Sequence, residues 1–246
     1  MASIDPDLLL RAYSIGVFPM SDSRDAADIF WVEPRRRAII PLDGFRLSRS
    51  LRKTLRSGAF EVTLDRAFGE VIRRCSERDE TWINLEIERS FTELHRLGNA
   101  HSIEVWQEGE LVGGLYGVRL GAAFFGESMF SLRTDASKVA LAWLVARLKV
   151  GGYTLLDCQF MTEHLRSLGA IEITQKAYLA LLASAVSAES FPDAARLEGA
   201  ALAAGVDLAR VELPELGALD RLLSGAGAVS AAEAGCVISQ LLGQTS

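Results

Sequence analysis

The chain has 246 residues, 49% hydrophobic and 24% charged, with a formal net charge of −6. That is globular material, long enough for a large core and for two domains, and it excludes a disordered, fibrous or repetitive chain and a general nucleic-acid coat. No apolar stretch reaches bilayer-spanning length, no secretion leader is evident, and the scattered Cys75, Cys158 and Cys236 suit a reducing compartment, so a soluble cytoplasmic protein is expected; a monomer is the separate expectation for its assembly state.

In chain order, Asp5 followed by Pro6 predicts a helix start, and Leu8, Leu9, Ala12 and Tyr13 supply its apolar face up to Gly16. IFWV (29–32) and RAIIP (37–41) read as short extended pieces. Ser48 is placed to cap a basic helix that runs through Arg56 and ends at Gly58. FEVTL (60–64) alternates as a strand, Asp65 is placed to cap a helix over 66–76, and Asn84 to cap another whose Ile87, Phe91, Leu94 and His95 share a face. From about residue 100 the period turns extended, and SIEVWQ, LVGGLYGVRL and AAFFGESMF read as three strands joined by turns at Gly109 and Gly121. Residues 135–150 form a helix with Val139, Trp143, Ala146 and Val150 on one stripe; YTLLDCQF is a strand, EHLRSLG a short helix, IEIT extended, and a helix starts at Lys176. This order predicts an α+β protein. A small N-terminal domain (1–58) with the basic segment precedes a catalytic domain (59–186), whose antiparallel sheet flanked by helices resembles the acetyltransferase-like, GNAT-type fold. An Ala-rich, acidic helical extension (187–246), loosely docked, completes the chain.

Charge is unevenly spread. Residues 31–60 hold eight basic side chains against two acidic ones, whereas 187–246 hold three against eight, so a local polyanion site is expected on the basic segment. Polar residues that interrupt apolar strands are the candidates for chemistry. Asp157 and Gln159 alternate onto one face of their strand while Cys158 points away, and Glu127 sits among Phe124, Phe125, Met129 and Phe130, where an unpaired carboxylate is costly to bury. Cys158 has no histidine placed to activate it and reads as a structural thiol. His95, His101 and His164 lack metal-ligand spacing, and a structural hydrogen-bond role is the competing reading for each buried carboxylate.

Taken together, GVFPM, IFWVEPRRRAI, SRSLRKTLR, FEVTLDRAF, TWI, LHRLGNAHSIEVW, ELVGGLYGV, FFGESMF, TDASKVAL, LLDCQF and HLRSLGA resemble the leucyl/phenylalanyl-tRNA protein transferase family, in order, from about residue 8 to about 184. The resemblance implies an enzyme that moves leucine or phenylalanine, with methionine a further candidate, from aminoacyl-tRNA to the α-amino group of proteins that begin with Arg or Lys. It implies that the product is marked for degradation, and that neither metal nor other cofactor is needed. Leu-tRNA, Phe-tRNA and the acceptor proteins are the expected partners, and no membrane is involved.

By the same resemblance, Asp157, Gln159 and Glu127 are the catalytic residues, with Glu127 at the pocket rim facing a positively charged substrate. Phe124 and Met129, with Leu141 and Leu144 on the next helix, line the aminoacyl pocket. Trp31 and Trp82 stack near the terminal adenosine, and Arg35, Arg36, Arg37, Arg49, Arg52 and Lys53 bind tRNA. Read chemically, a Gln159 amide held by Asp157 presents its carbonyl to the incoming amine; a route through the terminal adenosine of the tRNA is left open. The chain departs from the family at Val32 and Glu33, where a second aromatic and a Ser or Cys are usual. Two other classes compete. A small-molecule N-acetyltransferase needs a glycine-rich pyrophosphate loop that SLRTDASK lacks, and a non-catalytic RNA-binding protein leaves Asp157, Gln159 and Glu127 purely structural.

Overall fold

The computed structural model describes residues 3–78, 80–187, 214–227 and 230–243. Local capping chemistry sets the helix starts. Asp5 caps α1 (Pro6–Ser14) by accepting from the Leu8 N–H, and Ser48 caps α2 (Arg49–Arg56) by accepting from the Leu51 N–H. Helix α3 (Phe68–Ser76) departs from expectation. It starts after Ala67 with no side-chain cap, because Asp65 sits at φ 59° and its carboxylate is engaged by His101 and by the Ser102 N–H. Asn84 caps α4 (Leu85–Arg96) as its position predicts.

Seven strands form one sheet. Their order across it is β4 (Glu61–Leu64), β5 (Ala100–Gln107), β6 (Glu110–Leu120), β7 (Ala123–Ser131), β8 (Leu155–Gln159), β3 (Arg36–Ile39) and β9 (Ile171–Thr174). A separate hairpin pairs β1 (Phe18–Met20) with β2 (Phe30–Val32). Every neighbouring pair in the large sheet is antiparallel except β7 and β8, which are parallel and joined through α5 (Ala136–Val150). Strand β3 therefore belongs to the large sheet although it lies within the 1–58 segment expected to form a small domain. Its pairing with β8 and β9 crosses more than a hundred residues, which local pattern does not report.

Each face of the sheet has its own core. Helices α1, α3 and α4 cover one face, with α7 (Gln175–Val186), which Thr174 caps; Tyr13, Phe91, Tyr116, Phe125 and Tyr178 lie there. On the other face, α2, α5 and the short α6 (Glu163–Ser167) pack over Val105, Leu115, Phe124 and Leu156. Helix α5 was expected to present one apolar stripe but is buried from Val139 through Leu148. Its outer side is covered by α8 (Ala218–Gly225) and α9 (Ala231–Leu241), whose Leu219, Leu223 and Ile238, with Leu216 and Leu242, join the core. Burying side chains of this kind contributes roughly 1.5–3 kcal/mol each, so the described part of the extension is an integral layer rather than a loosely docked tail. Asp220 clamps it by a two-pronged ion pair to the buried Arg147 of α5. The expected helices over 188–213 fall outside the described residues.

Candidate active site

Strand β7 carries one residue too many for its neighbour. Gly117 of β6 pairs with Gly126 and Tyr116 with Ser128, so Glu127 is the extra residue of a β-bulge. The bulge flips the side-chain alternation. Phe124 before it and Met129 after it both pack on the α5 side, whereas Phe125 and Phe130 belong to the opposite core. Gly117 admits this arrangement, because a Cβ there would lie 2.2 Å from the Phe125 carbonyl oxygen. Pairing of β7 with β8 covers only Ala123–Leu155, Phe124–Leu156 and Phe125–Asp157, and past that point the two parallel strands part.

A cavity of about 380 Å³ fills the space between the parted strands. Leu115, Met129, Leu141, Leu144, Leu156 and Leu165 give it apolar walls, Glu127 and Gln159 supply polar groups, and the exposed Arg78, Phe160 and Thr162 border its opening. Met129, Leu141 and Leu144, expected to line an aminoacyl pocket, are thus among the walls of this cavity. Phe124 does not line the cavity; it is fully buried beneath the strand, its ring edge against Gly117. Trp82 lines the cavity, whereas Trp31 stands outside it on β2, 40% exposed.

A buried polar cluster backs the cavity. Asp157, 0% exposed, accepts from Arg37 Nε at 3.0 Å and Nη2 at 2.6 Å, from the Tyr178 hydroxyl at 2.8 Å and from the Gln159 backbone N–H at 2.8 Å. Arg37 is 1% exposed, donates to the Gly16 carbonyl, and lies between the Phe18 and Tyr178 rings at 4.7 and 4.5 Å from their centroids. Burial opposes its charge, but the hydrogen bonds it donates to Asp157 and the carboxylate's charge outweigh that and raise its pKa. Arg37 is therefore unavailable to tRNA phosphate, and its place in the expected binding set is corrected. Of the three consecutive arginines, Arg35, just before β3, and Arg36 are exposed, Arg36 pairing with Glu172, while Arg37 turns inward.

The link between Asp157 and Gln159 also differs from expectation. Asp157 holds the backbone of Gln159, which takes φ 62°, an uncommon conformation for a residue with a side chain. The side-chain amide is held by Glu127 instead, Nε2 donating to Oε1 at 2.9 Å, and the Tyr13 hydroxyl donates to the same oxygen at 2.7 Å. Glu127 is 7% exposed, on an inner wall rather than at a rim, and its Oε2 is buried without a hydrogen-bond partner among the described residues. Burial pushes its pKa up to about 7, against the two hydrogen bonds, which favour the carboxylate. Burial, with Asp157 alongside, raises the Cys158 thiol, so it is not a poised nucleophile. Arg37, Tyr13 and Tyr178 escaped sequence reasoning as parts of this cluster. No local pattern in the run of three marks Arg37 as the buried one.

The sheet is antiparallel but for one parallel pair, which splays over an apolar cavity closed by hydrogen-bonding groups, in an α+β protein. Residues 39–183 match the leucyl/phenylalanyl-tRNA protein transferase family, and residues 2–35 match the N-terminal domain of that family. The chain belongs to the leucyl/phenylalanyl-tRNA protein transferase family and is an aminoacyltransferase. It is 59% identical over 256 aligned residues to the leucyl/phenylalanyl-tRNA protein transferase of Rhizorhabdus wittichii, covering 100% of both chains. Over 188 residues it is 62% identical to that of Zymomonas mobilis subsp. mobilis, covering 75% of this chain and 70% of the relative. Among solved structures, the crystal structure of FemX superposes with a TM-score of 0.47 at 12% identity, covering 72% of this chain and 71% of that one. No helix among the described residues is long and apolar enough to cross a membrane.

Proposed function

We propose that the cavity receives the side chain of leucine or phenylalanine esterified to the 3′ end of tRNA, and that the aminoacyl group passes to the α-amino group of a protein beginning with Arg or Lys. The observation that carries this reading is the cavity itself, an apolar chamber of about 380 Å³ with Glu127 and Gln159 in its lining, the Glu127 Oε2 being buried without a hydrogen-bond partner among the described residues. Met129 suits a pocket for either side chain, because its unbranched chain adapts to aliphatic and aromatic shapes. The free Oε2 of Glu127 complements an ammonium, that of the aminoacyl group or of the basic acceptor.

The acyl group arrives activated as an ester, so the protein needs to position the reactants, handle one proton and stabilise the oxyanion. With its NH2 donated to Glu127, Gln159 has its carbonyl oxygen left to accept from the attacking amine. The amine nitrogen bonds to the ester carbon, the bond to the ribose oxygen breaks, and the proton shed by the amine ends on that oxygen. Asp157, Arg37 and Tyr178 act one layer behind, fixing the Gln159 backbone. Trp82 and Trp31 offer stacking surfaces for the terminal adenosine, and Arg35, Arg36, Arg49, Arg52 and Lys53 are exposed and face phosphate. The modified proteins would be directed to degradation. The test is transfer of radiolabelled leucine from Leu-tRNA to a peptide beginning with Arg, against the same peptide beginning with Ala. Arg-selective transfer that collapses in Gln159→Ala is expected; transfer indifferent to the first residue would reject the acceptor assignment.

A further inference from the structure

Helices α2 and α9 meet through their backbones. A Cβ built on Gly235 would lie 1.8 Å from the Leu55 carbonyl oxygen, one on Gly58 would lie 3.1 Å from the Ala232 Cβ, and one on Gly243 would lie 3.2 Å from Arg52 Nη2. Contacts that pair 58 with 232, 55 with 235 and 52 with 243 run in opposite senses, so the two helices are antiparallel. At position 235 only glycine permits this approach. Because Leu51 and Leu55 point into the core, Arg49, Arg52, Lys53 and Arg56 are left on the solvent side, and none of the four forms an ion pair among the described residues.

Two adjoining hollows share Arg52 and Arg56. One, of about 500 Å³, is bounded by α2 alone. The other, of about 280 Å³, is bounded on its far side by Cys236, Ser239, Gln240 and Gly243 of α9 and its C-terminal turn. None of the extension's described carboxylates lines either hollow. Asp220 binds Arg147, Glu215 binds Arg221, and Glu233 closes the capping box at the start of α9. The wall that faces α2 is neutral, with Gln240 exposed on it.

We infer that the C-terminal extension is part of the surface that grips tRNA: α9 sets the position of the basic helix α2 and closes one side of a cleft for the phosphodiester backbone. The family match ends at residue 183, before α9 begins, and the inference rests on the aminoacyl-tRNA reading of the cavity.

The test places opposite charges at one exposed position of the full chain, Gln240→Lys and Gln240→Glu, and measures Leu-tRNA binding against salt. Gln240→Lys should tighten binding about threefold or more at low salt and steepen the slope of log K against log salt by close to one unit, and Gln240→Glu should weaken binding by a similar factor. Opposite shifts at one site cannot come from misfolding. A third variant, Gly235→Leu, wedges the helices apart and should raise the Kd for Leu-tRNA about tenfold, while leucyl-adenosine, which carries no acceptor-stem phosphates, reports the cavity separately. Equal Leu-tRNA affinity and salt slope in the wild type and both Gln240 variants would overturn the inference. A wild type that neither binds Leu-tRNA nor transfers leucine would instead overturn the reading beneath it.

Discussion

Replacing Arg37 with Met separates its two possible roles, since a surface phosphate contact and an interior counter-ion predict opposite results. Three hydrogen bonds tie its guanidinium to Asp157, and both side chains are essentially inaccessible to water. In Arg37→Met the carboxylate keeps only the Tyr178 hydroxyl and the Gln159 N–H, with no compensating charge. Removing one partner of a buried ion pair costs about 3–5 kcal/mol, which for a chain of this size lowers Tm by about 6–20 °C. Thermal unfolding measured by calorimetry reads this directly. Substituting both partners, Arg37→Met with Asp157→Leu, should return much of the stability, because two apolar side chains leave no charge unpaired. It should not return transfer, because the Gln159 backbone at φ 62° loses its anchor. An Arg37→Met protein that melts within about 2 °C of wild type, a shift well below that expected from a broken buried pair, and loses only affinity for tRNA would refute the interior role.

Three further outcomes are expected. Glu127, lifted from an ordinary 4.5 to about 7 by burial, binds an ammonium only as the carboxylate, so transfer should rise with pH through about 7 and level off above it. The folded state binds the extra proton between those values, so unfolding free energy should fall as pH rises from 4.5 to 7, and Glu127→Gln should flatten both profiles. Met129→Ala enlarges the cavity and should shift the ratio of kcat/KM toward Phe-tRNA over Leu-tRNA by roughly tenfold, the scale of small changes in an apolar pocket; an unchanged ratio would remove Met129 from the wall. Asp220→Ala strips Arg147 of its carboxylate while leaving the Leu216 carbonyl, and should cost about 1–3 kcal/mol in denaturant unfolding.

What could be read from the chain follows the range of the interactions involved. The β5–β6–β7 meander, α5 and the caps at Asp5, Ser48 and Asn84 depend on contacts within a few residues, and their patterns are plain. The insertion of β3 between β8 and β9 depends on partners more than a hundred positions away. At the site, Met129, Leu141 and Leu144 line the cavity, but strict alternation along FFGESMF hides the bulge at Glu127 that flips the strand. A buried arginine and a surface arginine look alike in a run of three, and it is the partner Asp157, 120 residues on, that distinguishes Arg37 from its neighbours. The stripe on α5 was misjudged because the layer over its outer side, α8 and α9, comes from a segment whose Ala-rich composition says little about where it docks.

The most direct test is a crystal structure with a non-hydrolysable amide analogue of phenylalanyl-adenosine. The account predicts the phenyl ring among Met129, Leu141 and Leu144, the ammonium on Glu127 Oε2, and the acyl carbon within reach of an amine held by the Gln159 carbonyl. An analogue that leaves this cavity empty and binds elsewhere would contradict the assignment of the β7–β8 splay as the site of transfer.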